Sequence, residues 1–219
     1  MVETTPTVFV VDDDVSVRES LELLIRKHGW RPETFTSAQE FLSRPGLLVP
    51  SCLVLDFSLP GLNGLELQQR VAVERPYMPI IFITGHGDIP ITVQAMKAGA
   101  VEFLTKPFSN DSLLRAIRSS IERSRLRLDN EAQIQTLRTR YSALTARERQ
   151  VMTLVVTGLL NKEVGDELEI SEITVKFHRG NLMRKMKADS FADLVNMASR
   201  LRIKVPSTAK APPTRWGAR

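Results

Sequence analysis

Apolar runs in this sequence repeatedly end in a residue that could do chemistry. Asp12, Asp13 and Asp14 follow TVFVV (7–11), Asp56 follows CLVL (52–55), Thr84 closes PIIFIT (79–84) and Lys106 stands just beyond VEFL (101–104). A bare carboxylate at the edge of a buried run is costly unless something compensates it or it is there to react. Clustered carboxylates raise one another's pKa unless a divalent cation lies among them. Oxygen ligands of this kind suit Mg²⁺, which keeps several waters and takes one or two carboxylates. A metal beside a carboxylate, faced by a hydroxyl and an ammonium, is what transfer of a phosphoryl group onto that carboxylate requires. Asp56 is then the nucleophile, since aspartyl phosphates are a known covalent intermediate. Mg²⁺ and Lys106 would neutralise the phosphoryl oxygens, and the Thr84 hydroxyl would donate a hydrogen bond to one of them.

These residues converge only if the runs are strands of one sheet. Short β-branched runs alternate with helical patterns at roughly 15–28, 37–43, 64–74, 90–98 and from 110 onward, with a weaker strand candidate at 33–35. Such alternation predicts a five-stranded, doubly wound parallel α/β sheet, whose ligands bind outside the carboxyl ends of the strands. Each position alone has an ordinary explanation. Asp12–Asp14 could be an N-cap cluster, and for Asp14 that is the expectation; Thr84 could be a strand end and Lys106 a surface lysine. The joint order is what points to a site. Gly85-His86-Gly87 reads as a turn, because no Gly-Lys-Ser/Thr follows to make a phosphate loop. His28, ahead of Gly29, is expected to serve the C-terminus of the first helix. The single cysteine, Cys52, is expected to be a small buried hydrophobe.

TVFVVDDD, VLDFSLPGLNG and ITGHGDIPITVQAMKAGAVEFLTKPF, at their spacing, resemble the receiver domain of a two-component response regulator, closest to the FixJ type. The resemblance implies a flavodoxin-like fold and phosphorylation of Asp56 by a sensor histidine kinase. It implies Mg²⁺ held by Asp13, Asp56 and the Ser58 carbonyl with Asp12 assisting, and Thr84 and Lys106 on the phosphoryl group. It also implies a cis Lys106-Pro107 bond, and Ser58 and His86 at positions that tune hydrolysis. Phe103 is the candidate aromatic switch that follows Thr84; packing alone is the competing explanation. Residues 90–118, with Val93, Lys97 and Val101, would form a homodimer face on phosphorylation.

The net charge of +5 hides an asymmetry. Residues 1–122 contain 11 Lys or Arg against 15 Asp or Glu, whereas residues 123–219 contain 19 against 10. An acidic half and a basic half suggest two tasks, the second involving a polyanion. No apolar stretch approaches the ~20 residues needed to cross a bilayer, so no membrane role is expected and the cytoplasm is the default location.

From Asn110 the helical pattern meets no Pro or Gly until Gly158. Leu114, Ile117, Ile121 and Leu128 form one stripe and Ile134, Leu137 and Tyr141 another, so residues 123–140 read as a helical linker. Thr145 followed by Glu148 is a capping box opening a helix. A stop at Gly158, a restart at Asn161, a turn at Glu169 and Ile170, and a cap at Ser171 then describe a helix-turn-helix. Val175, Leu182 and Met186 suit a core, opposite Lys176, Phe177, Gly180, Arg184 and Lys187. LTARERQV, GLLNKEV, ISEITVKFHRGNLMRKM and DSFADLVNMA resemble the LuxR-type DNA-binding domain, over 141–202. The resemblance implies that Lys176, Phe177 and Gly180 face base edges, with Thr174, His178, Arg179, Asn181 and Lys185 contacting or supporting the DNA backbone. Gly180 lacks the longer polar side chain often found there, and Gly165 replaces a small helix former at a cost of up to about 1 kcal/mol. Residues 203–219, with Pro206, Pro212 and Pro213, read as a disordered tail.

The resulting expectation is a receiver at 1–122 controlling a DNA-binding domain, acting on promoter DNA as a phosphorylation-induced homodimer, with RNA polymerase as a further candidate partner. The only catalysis expected is its own Mg²⁺-dependent phosphorylation and dephosphorylation. An aspartyl-nucleophile phosphatase is the first rival, but it needs a second Asp two residues after the nucleophile, where this chain has Ser58. A DNA-binding module indifferent to phosphorylation is the second.

Overall fold

The computed structural model describes residues 5–61, 64–85 and 89–203. His86 and the tail beyond Ile203 lie outside them. The chain divides into two compact units, Met1–Asn130 and Glu131–Arg219, and the division falls inside one continuous helix.

In the first unit, β1 (Thr7–Val11), α1 (Val15–Lys27), β2 (Arg31–Phe35), α2 (Ala38–Ser43), β3 (Ser51–Asp56), α3 (Gly64–Glu74), β4 (Ile80–Thr84), α4 (Ile89–Lys97), β5 (Glu102–Thr105) and α5 (Asn110–Ser142) alternate as expected. The sheet runs β2-β1-β3-β4-β5, all parallel. Side chains alternate along each central strand, so both faces must be covered. Phe9, Val11, Leu53, Leu55 and Phe82 pack with Phe41, Leu67, Val71 and Ala95 of α2, α3 and α4. Val8, Val10, Cys52, Val54, Ile81 and Ile83 pack with Leu21 and Ile25 of α1 and Leu113, Ile117 and Ile121 of α5. Cys52 is fully buried, and that burial pushes its thiol pKa far up, keeping it protonated. At the end of α1, the Nδ1 of His28 donates to the Leu24 carbonyl at 2.8 Å, and Gly29 takes φ +82°.

Gly64 opens α3 directly behind the strand that ends in Asp56. A Cβ there would lie 2.9 Å from Cε1 of Phe82 and 3.2 Å from the Cα of Phe57, so only glycine lets the helix start so close to the sheet. Gly64→Ala is expected to destabilise the first unit by about 1–3 kcal/mol through overpacking. Hydrogen exchange of the β4 amides measures it; unchanged protection would refute the close-approach argument.

The second unit holds the end of α5, then α6 (Ala146–Val155), α7 (Asn161–Leu168), α8 (Glu172–Met186) and α9 (Phe191–Arg200). Val151, Met152, Val155, Val164, Val175, Leu182, Met186 and Leu194 make its core, closed by Leu137 and Leu144. The α6 capping box is complete: Thr145 Oγ1 accepts from the Glu148 N–H at 3.2 Å, and the Thr145 N–H donates to Glu148 Oε2 at 2.7 Å. Between α7 and α8, Glu169 takes a left-handed φ of 55° and the Ile170 N–H donates to the Gly165 carbonyl at 2.9 Å. A Cβ on Gly165 would sit 2.7 Å from the Ile170 carbonyl oxygen. The glycine that weakens α7 by its propensity therefore lets the turn fold back tightly onto it. Lys187, expected on the exposed face of α8, is instead its left-handed C-cap at φ 55°.

Candidate functional site

Each chemistry-bearing residue of the first unit is placed by the end of a strand. Asp12 follows β1 and is fully buried; Asp56 ends β3 and is 7% exposed; Thr84 ends β4 and is fully buried; Lys106 follows β5. Lys106 Nζ donates to Asp12 Oδ2 at 2.8 Å and to Asp56 Oδ2 at 2.7 Å. Its backbone N–H donates to the Thr84 carbonyl at 2.7 Å, which ties β5 to β4 just below the site. The remaining carboxylate oxygens are held by backbone: Asp12 Oδ1 accepts from the Asp14 N–H and Asp56 Oδ1 from the Ser58 N–H, both at 2.9 Å. Asp14 caps α1 by accepting from the Ser16 N–H. The Lys106-Pro107 bond is cis.

Charge in this cluster is unbalanced. Asp12, Asp13 and Asp56 each offer a carboxylate oxygen within 4.8 Å of the others, with Asp13 exposed and the other two buried. Lys106 is the cation bonded to the buried pair. Burial raises the Asp12 carboxyl above its usual range, and the Lys106 bond offsets this only in part. For Lys106, burial would lower the ammonium's pKa, but the two carboxylates it bonds outweigh that and raise it. Oxygen donors with uncompensated negative charge, open on the Asp13 side, fit a hard divalent cation.

Phe103, on β5, is half-buried and packs against Phe82 and Phe57, with ring centroids 6.0 Å and 6.2 Å away. Its neighbour in the register is Phe82, two residues before Thr84.

In the second unit the residues of α8 outside the core separate into two groups. Ile173 (78% exposed), Lys176, Phe177 (67%), Gly180 and Arg184 share one exposed face. Several others are engaged within the fold. Thr174 Oγ1 and Ser171 Oγ lie 2.8 Å apart at the N-cap. Arg179 donates to Asn161 Oδ1 at 2.9 Å and lies over the Phe191 ring at 5.1 Å. Asn181 Oδ1 accepts from Arg184 at 3.0 Å. His178 is half-buried, edge-on to the Phe177 ring at 5.8 Å. Lys185 donates to Glu148 Oε2 at 2.7 Å. Ile173 was missed by sequence reasoning, although its spacing of three, four and seven residues from Lys176, Phe177 and Gly180 could have placed it on their face.

Residues 8–118 match the response regulator receiver domain, and residues 142–198 match the bacterial regulatory proteins of the luxR family. The chain is 49% identical over 205 residues to nodulation protein W of Bradyrhizobium diazoefficiens, covering 94% of this chain and 90% of that one. It is 42% identical over 194 residues to transcriptional regulatory protein FixJ of the same organism, covering 88% and 94%. Among solved structures, response regulator StyR is 47% identical with a TM-score of 0.79, covering 90% of this chain and 100% of that one. The two domain families imply a kinase partner and DNA binding, and neither is an enzyme in the usual sense. Among the described residues no helix is long and apolar enough to cross a membrane. A carboxylate cluster at the carboxyl ends of a parallel sheet, joined to a capped helix-turn-helix, thus has its place: the chain belongs to the two-component transcriptional response regulators that carry a luxR-type DNA-binding domain.

Proposed function

We propose that Asp56 is the phosphoacceptor of this regulator, and that its phosphorylation pairs two receivers and thereby strengthens binding to promoter DNA. The observation that carries the reading is the Lys106 ammonium bridging Asp12 and Asp56 beside the exposed Asp13. An Asp56 carboxylate oxygen attacks the phosphorus of a phosphohistidine on the sensor kinase. The P–N bond breaks as the O–P bond forms, and the leaving imidazole nitrogen keeps the electron pair and takes a proton from solvent. Lys106 exchanges its bond to Asp56 for one to a phosphoryl oxygen, and the Thr84 hydroxyl donates to another. Asp12, Asp13, Asp56 and the Ser58 carbonyl would hold Mg²⁺, which supplies positive charge against the phosphoryl oxygens. The same residues serve the later hydrolysis of the acyl phosphate, in which water attacks phosphorus, the Asp56 carboxylate leaves with the electron pair and inorganic phosphate is released; phosphorylation and this dephosphorylation are the only catalysis assigned to the protein.

In this reading residues 1–122 are the receiver, 123–140 the connecting helix and 141–202 the DNA-binding domain. Phe103 turns toward the space that Thr84 vacates and alters the face around α4, where Val93 is 45% and Met96 42% exposed. The protein works in the cytoplasm, and a promoter-bound dimer is positioned to meet RNA polymerase. Paired receivers would set two α8 helices on half-sites about one helical turn apart, making the second DNA contact intramolecular. The test is sedimentation of the full chain before and after quantitative phosphorylation by a small phosphodonor with Mg²⁺. The mass should double and operator affinity rise; an unchanged mass would remove dimerisation from the scheme.

A further inference from the structure

The exposed face of α8 presents apolar tips where a DNA-reading helix commonly offers hydrogen-bonding ones. Ile173 and Phe177 are 78% and 67% exposed and stand one helical turn apart. One turn further, a Cβ added to Gly180 would meet nothing within 4 Å, so no side chain crowds the Phe177 ring from that side. Of the polar groups nearby, Arg179 is held by other helices, whereas, among the described residues, Lys176 and Arg184 are exposed and bonded only along α8. Lys176 Nζ bonds Glu172 at 2.8 Å, Asn181 Oδ1 accepts from Arg184, and Arg179 is turned to Asn161 and Phe191. The centre of the face, from Ile173 through Phe177 to Gly180, therefore offers a base edge apolar contact, with Lys176 and Arg184 at its margins.

We propose that α8 selects its operator chiefly through thymine C5-methyl groups, with Phe177 and Ile173 as the residues that touch them. The inference rests on the DNA-binding reading above and adds what is read. The major groove is where apolar side chains meet thymine methyls. Side chains four residues apart on a helix lie about 5–6 Å from one another, and base pairs rise about 3.4 Å per step. Two such side chains thus reach methyls on neighbouring steps. Lys176 and Arg184 flank the apolar pair, so the surface that complements this face is anionic and carries apolar groups. A second copy of the same basic face would be repelled.

The experiment uses the full chain treated with phosphodonor and Mg²⁺. Duplexes selected from a random pool are compared with the same duplexes in which deoxyuridine replaces thymidine, which removes the methyl and keeps every hydrogen-bonding group. Wild-type affinity should fall about fourfold for each contacted methyl withdrawn. In Phe177→Ala the thymidine duplex should bind more weakly and the difference between the two duplexes should shrink. The salt dependence should stay as in the wild type, because phosphate contacts are untouched. Sequence-selective binding that ignores the methyl would overturn the inference and leave the DNA-binding reading intact, whereas failure to bind any duplex would overturn that reading itself. A change in the sedimenting mass of Phe177→Ala, with the thymidine preference kept, would assign the apolar face to protein pairing and also overturn the inference.

Discussion

Asp56→Asn eliminates the labile phosphoryl adduct. With a small phosphodonor and Mg²⁺, intact-mass measurement of the wild type finds one added phosphoryl group, and the variant finds none. The carboxamide keeps the size of the side chain and an oxygen that can accept from the Ser58 N–H, so the strand end and the turn after it persist. What is lost is the anionic oxygen that attacks phosphorus. Asp12 cannot substitute, since it is fully buried and held by Lys106 and the Asp14 N–H, and Asp13 is exposed and is not one of the two carboxylates that Lys106 bonds. The second consequence follows at the DNA: operator affinity in the variant should be the same before and after phosphodonor. Equal stimulation of the wild type and of Asp56→Asn would mean that the two units are not coupled through this carboxylate. An adduct of the same mass on the variant would move the acceptor to another side chain.

The receiver was legible because its chemistry and its architecture share one pattern. A buried parallel strand reads as a continuous apolar run, and the polar residue that ends the run is also the site residue, as with Val11 to Asp12 and Leu55 to Asp56. The strand read most weakly, β2, is an edge strand whose sequence, RPETF, carries a proline and has one buried residue. An edge needs less apolar content, so its signal is faint. The Lys106 bridge to Asp12 joins residues 94 positions apart, and only the order of the strands, not any local spacing, could suggest it. Gly64 and Gly165 were opaque for a related reason, since the backbone each one admits comes from another element or from the far side of a turn.

On α8 the helical period separated buried from exposed positions and went no further. Arg179 and Lys185 are polar residues at the margin of the exposed face, which a helical wheel treats as candidate DNA contacts. Their partners, Asn161, Phe191 and Glu148, arrive from α7, α9 and α6. Nothing in the local sequence marks those residues as already occupied. Ile173, among the most exposed apolar side chains of the second unit, went unremarked, although its spacing from Phe177 and Gly180 puts it on their face.

Lys185→Ala tests which of two roles governs this residue, and the expected effect is large. Glu148 is 3% exposed, and its carboxylate accepts from both the Thr145 N–H and Lys185 Nζ. Burial alone would raise its pKa, but the Lys185 bond and the capping N–H outweigh burial and hold the carboxyl below its ordinary value. Removing the lysine leaves a buried carboxylate with the cap alone, at a cost of about 2 kcal/mol. In a domain of this size that lowers the unfolding midpoint by roughly 8–16 °C. Glu148→Gln should cost less, because the amide oxygen still caps α6 and Lys185, whose side chain is 32% exposed, can reach water. The pH dependence follows from the sign of the shift: a depressed carboxyl contributes stability above the ordinary value near 4.5 and loses it as pH falls through the folded value. In Lys185→Ala burial dominates and the carboxyl rises above its ordinary value, so the sign reverses: the destabilisation relative to the wild type is full near neutral pH and shrinks as pH falls through the raised folded value. The double variant Glu148→Gln/Lys185→Ala, with no carboxyl to titrate at this position, should lose that acid-side recovery, which would locate the effect in this pair. If instead the midpoint stays put while the salt slope of DNA binding drops by about one, Lys185 is a phosphate contact and the Glu148 bond is incidental.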